Sequence, residues 1–205
     1  MNQKYEITEI AHPQYPGLYR IRALIDVRYG VKKGDLGGYV QSAENLSQKG
    51  TCWIADDAVV GENARVYEAA WITDKSHISG QAEISGDAHV EGNAAVLENA
   101  HVTSGSVADH AVVRGNAEIK KDKRTRKSPR ITGSALVYGT VVGNVIVAGG
   151  SVIGAEEKLE GGRHSAFIVF FDGEIPASGV DQQEKKSEDS RRKLKRTRVR
   201  RGGER

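Results

Sequence analysis

The sequence predicts an all-β fold built from stacked coils of short strands. Two observations lead to this prediction. Aliphatic residues recur at every sixth position from Ile54 to Val102 and, after one skipped residue, from Val107 to Ile119. A small residue, alanine or serine, lies four positions after most of them. A period of six fits neither the 3.6-residue period of a helix nor the simple alternation of an extended strand.

Each six-residue unit is predicted to be a short strand followed by a corner. The small residue and the next aliphatic residue lie two apart, so both side chains point into one narrow interior. Glycine or an acid often follows two positions after the aliphatic residue, and Asn or Asp comes next, as at Gly92 and Asn93. Such residues suit the positive φ of tight corners. Stacked coils would pair each strand with its equivalent one turn away. A buried helix is disfavoured, because each interior glycine would cost about 1 kcal/mol.

The segment before the repeat, residues 1–51, is predicted to cap the first coil. Within it "KYEIT" and "LYRIRALIDV" have the composition of strands, and "AHPQYPG" is a turn between them. A cap is expected because an open coil end would expose unpaired strand edges. Trp53 and Trp71 are expected to pack near this end. The stretch "KKGDLGGYV" lacks the Gly-Lys-Ser/Thr ending of a phosphate-binding loop, and a glycine-rich turn leading into the coil is predicted instead.

Residues 52–155 are assigned to the coil, with a basic loop over 120–130 thrown out at one corner. The register resumes at Ile131 and Val137. Residues 156–180 contain the apolar run "AFIVFF" and are expected to form a last strand or C-terminal cap. Residues 181–205 lose apolar side chains and become charged, which predicts a disordered basic tail.

The repeat resembles the hexapeptide-repeat left-handed β-helix family, in which three units make one triangular coil. More narrowly, "KKGDLGGYVQSAENLSQKGTCWIADDAVVGENARVY" is similar to the leading segment of phage and prophage β-helix proteins, including the YdcK-like group. The resemblance covers about residues 16–155. It implies a left-handed coil, a homotrimer and a phage or prophage origin, although fold does not fix function. The sequence itself shows no exposed aliphatic stripe that would demand a subunit contact.

The net charge of +3 hides a strong segregation. Residues 120–130 carry seven Lys/Arg and one acid, and residues 185–205 carry eleven Lys/Arg against three acids. The remaining chain holds 12 basic and 23 acidic residues. The two basic segments are therefore candidates to bind a nucleic-acid backbone or an acidic protein partner. The candidate residues are Lys123, Arg124, Arg126, Lys127, Arg191, Arg192, Lys193, Lys195, Arg196, Arg198, Arg200 and Arg201.

Two other interpretations of the tail stay open. It could be a solubilising end, or it could fold back onto the acidic faces of its own body. The tail has no aromatic residue for stacking, so base-specific recognition of single strands is not expected.

An enzymatic role is disfavoured. Cys52 is the single cysteine, which excludes an internal disulfide and a cysteine-rich metal site. His77, His89 and His101 are candidates for a metal site, but a twelve-residue step changes face in a coil of three units. No catalytic residue and no cofactor is assigned. A non-enzymatic scaffold or binding protein is the leading hypothesis. The alternative is a hexapeptide-repeat acyltransferase, or a γ-carbonic-anhydrase-like enzyme, with a site between subunits. Because the sequence lacks a signal peptide and an apolar run of about 20 residues, a cytoplasmic protein with no membrane contact is expected.

Overall fold

The protein is described by a computed structural model that covers residues 3–162, 165–171 and 195–200. Every regular element in this part of the chain is a β-strand, and the strands form three sheets, named A, B and C here. No helix among the described residues is long and apolar enough to cross a membrane.

The strands of each sheet are given in spatial order. Sheet A contains β1 (Tyr5–Ala11), β2 (Tyr19–Ala23), β3 (Leu36–Val40), β5 (Val59–Val60), β8 (His77–Ile78), β11 (Ala95–Val96), β14 (Val112–Val113), β17 (Leu136–Val137) and β20 (Val152–Ile153). Sheet B contains β21 (Lys158–Gly161), β18 (Thr140–Gly143), β15 (Glu118–Lys120), β12 (His101–Val102), β9 (Glu83–Ile84) and β6 (Arg65–Val66). Sheet C contains β23 (Lys195–Arg200), β22 (Ser165–Phe171), β19 (Val145–Gly149), β16 (Arg130–Ile131), β13 (Ser106–Val107), β10 (His89–Val90), β7 (Trp71–Ile72) and β4 (Trp53–Ile54).

The chain winds through sheets C, A and B in turn and forms a parallel β-solenoid of about seven turns. Val60 pairs with Ile78, so three six-residue units make one coil. The skipped residue of the repeat shortens one coil, in which Val96 pairs with Val113. The basic loop lengthens the next, in which Val113 pairs with Val137. The predicted fold of stacked parallel coils is confirmed.

The predicted interior register is also confirmed. The repeat aliphatics, such as Ile84 and Val90, are 0% exposed, and small residues such as Ala82 fill the space between them. Narrow coils leave room for this repeated pair of side chains and little else. In the middle coils the residue before each of these aliphatics is less buried, and Glu83 and His89 are half-buried there.

The corners are held by carboxylates that bind glycine N–H groups one coil away. Glu62 and Glu68 adopt positive φ values of 53° and 60°. Their carboxylates accept hydrogen bonds from the N–H groups of Gly80 at 2.6 Å and Gly86 at 2.7 Å. Further pairs of this kind join Asp74 to Gly92, Glu98 to Gly115 and Asp109 to Gly133. The sequence shows either glycine or an acid at this corner position. The structure shows that such a glycine and such an acid on adjacent coils form a hydrogen-bonded pair.

The N-terminal segment caps the first coil as a strand extension of sheet A. The antiparallel strands β1, β2 and β3 continue into the parallel coil where β3 pairs with β5. Tyr5 anchors this cap, since its hydroxyl donates to the Leu46 carbonyl oxygen at 2.6 Å. Trp53 and Trp71 lie at this end on adjacent strands, as predicted.

The glycine-rich turn predicted for "KKGDLGGYV" is wrong for its second half, because Leu36–Val40 forms β3. A Cβ atom at Gly37 would lie 2.5 Å from the carbonyl oxygen of Ile54, and one at Gly38 would lie 2.5 Å from that of Ala58. These glycines therefore let a strand approach the first coil closely. Turn geometry is not what they provide.

At the other end, "AFIVFF" lies in β22, which pairs in parallel with β19; it is a strand, as predicted, but it is not the last one. The residues Lys195–Arg200 form β23, antiparallel to β22. These six residues differ from the prediction of a disordered tail. The rest of residues 181–205 lies outside the described residues.

Candidate nucleic-acid interface

The basic loop spans residues 121–129, between β15 of sheet B and β16 of sheet C. It replaces an ordinary short corner of the coil, as the sequence predicts. At its base the Ser128 hydroxyl lies 2.5 Å from the hydroxyl of Ser104 in the neighbouring coil. Pro129 is buried and its carbonyl oxygen lies against Gly105, where a Cβ atom would be 2.2 Å away. The loop is therefore fastened to the coil at its second end.

The tip of the loop is closed by hydrogen bonds around Asp122. The Asp122 N–H donates to the Lys127 carbonyl oxygen at 2.9 Å, and the Arg126 N–H donates to the Asp122 carbonyl oxygen at 2.9 Å. The Thr125 N–H donates to the Asp122 carboxylate at 2.5 Å. This backbone hydrogen bond from Thr125 is the main cause that lowers the pKa of Asp122 below its ordinary value of 3.8. A charged Asp122 thus organises the turn that carries the cations.

The four candidate cations of the loop, Lys123, Arg124, Arg126 and Lys127, are exposed. Among the described residues none of the four forms a salt bridge. The two lysines before them differ in this respect. Lys120 is paired with Glu118, and the Lys121 Nζ lies 3.7 Å from an Asp87 carboxylate oxygen. Carboxylates of the coil therefore neutralise Lys120 and Lys121, whereas the four loop cations are available to a ligand.

A shallow groove of about 550 Å³ lies on sheet C beside the loop. It is lined by Asp87, His89, Glu91, Gly105, Ser106, Ser128, Pro129 and Arg130. The carboxylates of Asp87 and Glu91 would repel a phosphate, while Arg130 would attract one. His89 Nε2 lies 3.4 Å from the Glu91 carboxylate, so the imidazole in this part of the groove already has a partner within the protein. An anion is therefore expected to bind at the loop tip and not within the groove.

The backbone of the tail strand β23 lies on the same sheet as the start of β16. One row of paired residues runs from Arg130 through Ile146 and Ile168 to Thr197. Since the loop precedes Arg130, the half of β23 from Arg198 to Arg200 lies on the loop's side of this row. Three strand spacings separate β16 from β23, which corresponds to about 14 Å.

The tail candidates Lys195, Arg196, Arg198 and Arg200 belong to β23. The candidates Arg191, Arg192, Lys193 and Arg201 lie outside the described residues.

The three candidate metal histidines lie on three different sheets. His77 is in β8 of sheet A, His89 in β10 of sheet C and His101 in β12 of sheet B. The chain therefore does not bring them together. No group of three metal-ligating side chains occurs in the part of the chain that is described. His101 Nδ1 instead lies 3.5 Å from the Glu83 carboxylate. Burial lowers the pKa of His77 below its ordinary value of 6.5.

One surface feature was not foreseen from the sequence. The outward residues of successive strands in sheet A include Ala95, Val112, Leu136 and Val152, which are paired one above the other. The first three are half-buried, and Val152 is 42% exposed. We name these four residues the sheet A stripe. At the cap end the same face is already covered, because Leu18 packs on Tyr39 and Val59.

No protein-family model matches this chain, and a search of curated proteins finds no significant match. The class of the protein therefore follows from its repeat and its structure. It is a parallel β-helix protein that displays a braced basic loop.

Proposed function

We propose that this protein is a non-enzymatic β-helix scaffold that binds nucleic acid through the phosphate backbone. The observation that supports the proposal is the basic loop, in which exposed cations without salt-bridge partners in the described chain sit on a turn organised by Asp122. Arg124 and Arg126 suit this role because a planar guanidinium can donate two parallel hydrogen bonds to a phosphate. Binding to the backbone would release counterions and would be nearly independent of sequence.

The position of β23 supports a single ligand for both basic segments. The loop and the Arg198–Arg200 half of β23 lie on the same side of sheet C, about 14 Å apart across the strands. An extended polyanion can span such a distance, whereas a single small anion cannot. The rest of the chain has 23 acidic and 12 basic residues. It would repel nucleic acid and confine binding to these segments.

A titration of labelled duplex DNA with the full-length protein, followed by fluorescence anisotropy at several salt concentrations, tests the proposal. If about six phosphates are contacted, the logarithm of the binding constant should fall against the logarithm of salt with a slope of roughly −5. The triple change Arg124→Ala, Arg126→Ala and Lys127→Ala should flatten that slope by about 2 to 3. Deleting residues 185–205 should remove most of the remaining affinity.

A matched control removes the same charge elsewhere. Lys33, Lys49 and Lys75 are also exposed and form no salt bridge among the described residues. Their triple change to alanine should leave the slope almost unchanged. Equal losses in the two triple variants would show that net charge alone governs binding. Failure of the full-length protein to bind duplex or single strands at low salt would refute the proposal and would favour an acidic protein partner.

The remaining parts of the proposal concern context. The resemblance of "KKGDLGGYVQSAENLSQKGTCWIADDAVVGENARVY" to YdcK-like β-helix proteins supports a phage or prophage origin and a cytoplasmic site of action. The sheet A stripe supports a homotrimer. Its residues are uncharged, whereas the outward residues of sheet B include Arg65, Glu83 and His101. Subunits of the same net charge would therefore repel each other less across sheet A than across sheet B.

A further inference from the structure

Lys4 and Cys52 form a buried pair at the junction of the cap and the first coil. Lys4 is 2% exposed and Cys52 is 0% exposed. The Lys4 Nζ donates to the Cys52 carbonyl oxygen at 2.8 Å and lies 3.1 Å from the Cys52 Sγ. In the described part of the chain Lys4 forms no salt bridge with a carboxylate. This burial of an amine against a thiol plays no part in the proposed nucleic-acid binding.

The pair has an unusual electrostatic situation. An isolated buried ammonium is costly, so a lysine in such a place needs an anionic partner or must be neutral. Among the hydrogen-bond partners of Lys4, the Cys52 sulfur is the group that can carry a negative charge. The core therefore holds an amine nitrogen and a thiol sulfur in direct contact.

The nearby phenol of Tyr5 does not compete for this role. Burial, with a contribution from Cys52, raises the pKa of Tyr5 to about 12. Its hydroxyl remains protonated and donates to the Leu46 carbonyl oxygen.

We propose that Lys4 and Cys52 are joined by a covalent N–O–S bridge when the protein meets dioxygen. The amine, the thiol and one dioxygen molecule give the bridge and one water molecule. The N–O and O–S bonds form, while one N–H bond, the S–H bond and the O=O bond break. The two hydrogens leave on the second oxygen atom. Nitrogen and sulfur together lose four electrons, and dioxygen accepts them.

The observed separation favours a bridging oxygen over a direct bond. An inserted oxygen requires nitrogen and sulfur, now 3.1 Å apart, to approach by only a fraction of an ångström, so the core has to move little. A direct N–S bond would require the two atoms to close to roughly half that distance, against close packing. Four equivalents of an external thiol would return the amine and the thiol, with water and two disulfides as the other products.

The bridge would lock the cap onto the coil. It would tie the residue before β1 to the residue before β4 and close a loop whose ends are 48 residues apart. Cross-linking such a loop restricts the unfolded chain. The melting temperature of the bridged form is therefore expected to be higher by roughly 5 to 10 °C.

Intact mass spectrometry of the full-length protein tests the proposal. Protein kept in aerated buffer should be heavier by about 14 Da than protein prepared without dioxygen, since one oxygen is gained and two hydrogens are lost. Dithiothreitol should reverse the change. Trypsin should release residues 1–20 linked to residues 50–65, because a bridged Lys4 is no longer cleaved. Lys4→Arg and Cys52→Ser should abolish the mass gain, and Lys49→Arg, which changes an exposed neighbour, should preserve it.

Several results would overturn the proposal. An unchanged mass in aerated buffer would do so, and so would a gain of about 16 or 32 Da, which indicates oxidation of cysteine without a cross-link. A loss of about 2 Da would indicate a direct N–S bond in place of the oxygen bridge. The tryptic peptide map of the protein without substitutions shows whether Lys4 and Cys52 are linked, even if Lys4→Arg does not fold.

Discussion

The close stacking of the corners can be tested by adding a single methyl group at Gly86. This glycine has φ +61°, and its N–H donates to the Glu68 carboxylate at 2.7 Å. A Cβ atom would lie 2.1 Å from the carbonyl oxygen of Thr103, a backbone atom of the next coil. That carbonyl cannot rotate away as a side chain could, so Gly86→Ala must displace one coil from the next.

The expected loss of stability has two parts. Placing alanine at positive φ costs roughly 1 to 2 kcal/mol. Relieving the contact with Thr103 should cost about 1 to 3 kcal/mol more, as other overpacked substitutions do. The sum is roughly 2 to 5 kcal/mol.

Gly17→Ala measures the cost of alanine at positive φ without the added contact. Gly17 has φ +82°, and an added Cβ would meet no atom within 4 Å. Urea unfolding monitored by the fluorescence of Trp53 and Trp71 would measure both variants. Gly86→Ala should lose at least about 1 kcal/mol more than Gly17→Ala, the low end of the contact cost. Equal losses would show that the coils are not stacked as closely as described.

Three further predictions concern the core, the corners and the subunit contact. Ile84→Asp should abolish the folded circular-dichroism spectrum because it buries an unpaired charge, whereas Glu83→Lys should cost about 0.5 kcal/mol or less; similar losses would refute the register. The hydrogen bond from Arg114 lowers the pKa of Glu98 below its ordinary 4.5. The stabilisation from this hydrogen bond is present above pH 4.5 and is lost as the pH falls through the pKa of Glu98 in the folded protein. Glu98→Gln should therefore lower the melting temperature at neutral pH and converge with the unmodified protein in acid; a constant difference would contradict this. Light scattering should show a trimer that Val112→Lys dissociates, and a monomer at every concentration would end the proposal.

The local pattern of the sequence was sufficient to predict the coil. Each six-residue unit contains both its inward residues and its corner, so Ile78, Ile84 and Val90 could be placed in the interior without knowledge of any distant contact. Exposure of the basic loop was predictable for the same reason, because a run of cations cannot enter a narrow apolar core. Which lysines of that run are neutralised was not predictable. Lys121 meets Asp87 only because the two residues lie at the same corner of the solenoid, two coils apart.

Contacts between coils depend on how many residues each coil contains, and that number varies along the chain. The outward residues Ala95, Val112 and Leu136 form a stripe because the spacing between paired residues changes from coil to coil. If every coil contained three complete six-residue units, these three residues would not pair with one another. The role of Gly37 depends likewise on the backbone of Ile54, which approaches it from the first coil.

Lys4 and Cys52 are the clearest case of a feature decided by tertiary structure. They are 48 residues apart, and neither belongs to a motif or a period that would connect them. The sequence by itself determined the coil, its interior and its exposed basic loop, because these follow from side-chain patterns within a few residues. Tertiary structure alone decided the buried amine–thiol pair, the outward stripe and the carboxylate–glycine corners, because stacking brings together residues that lie at least one full coil apart in the chain.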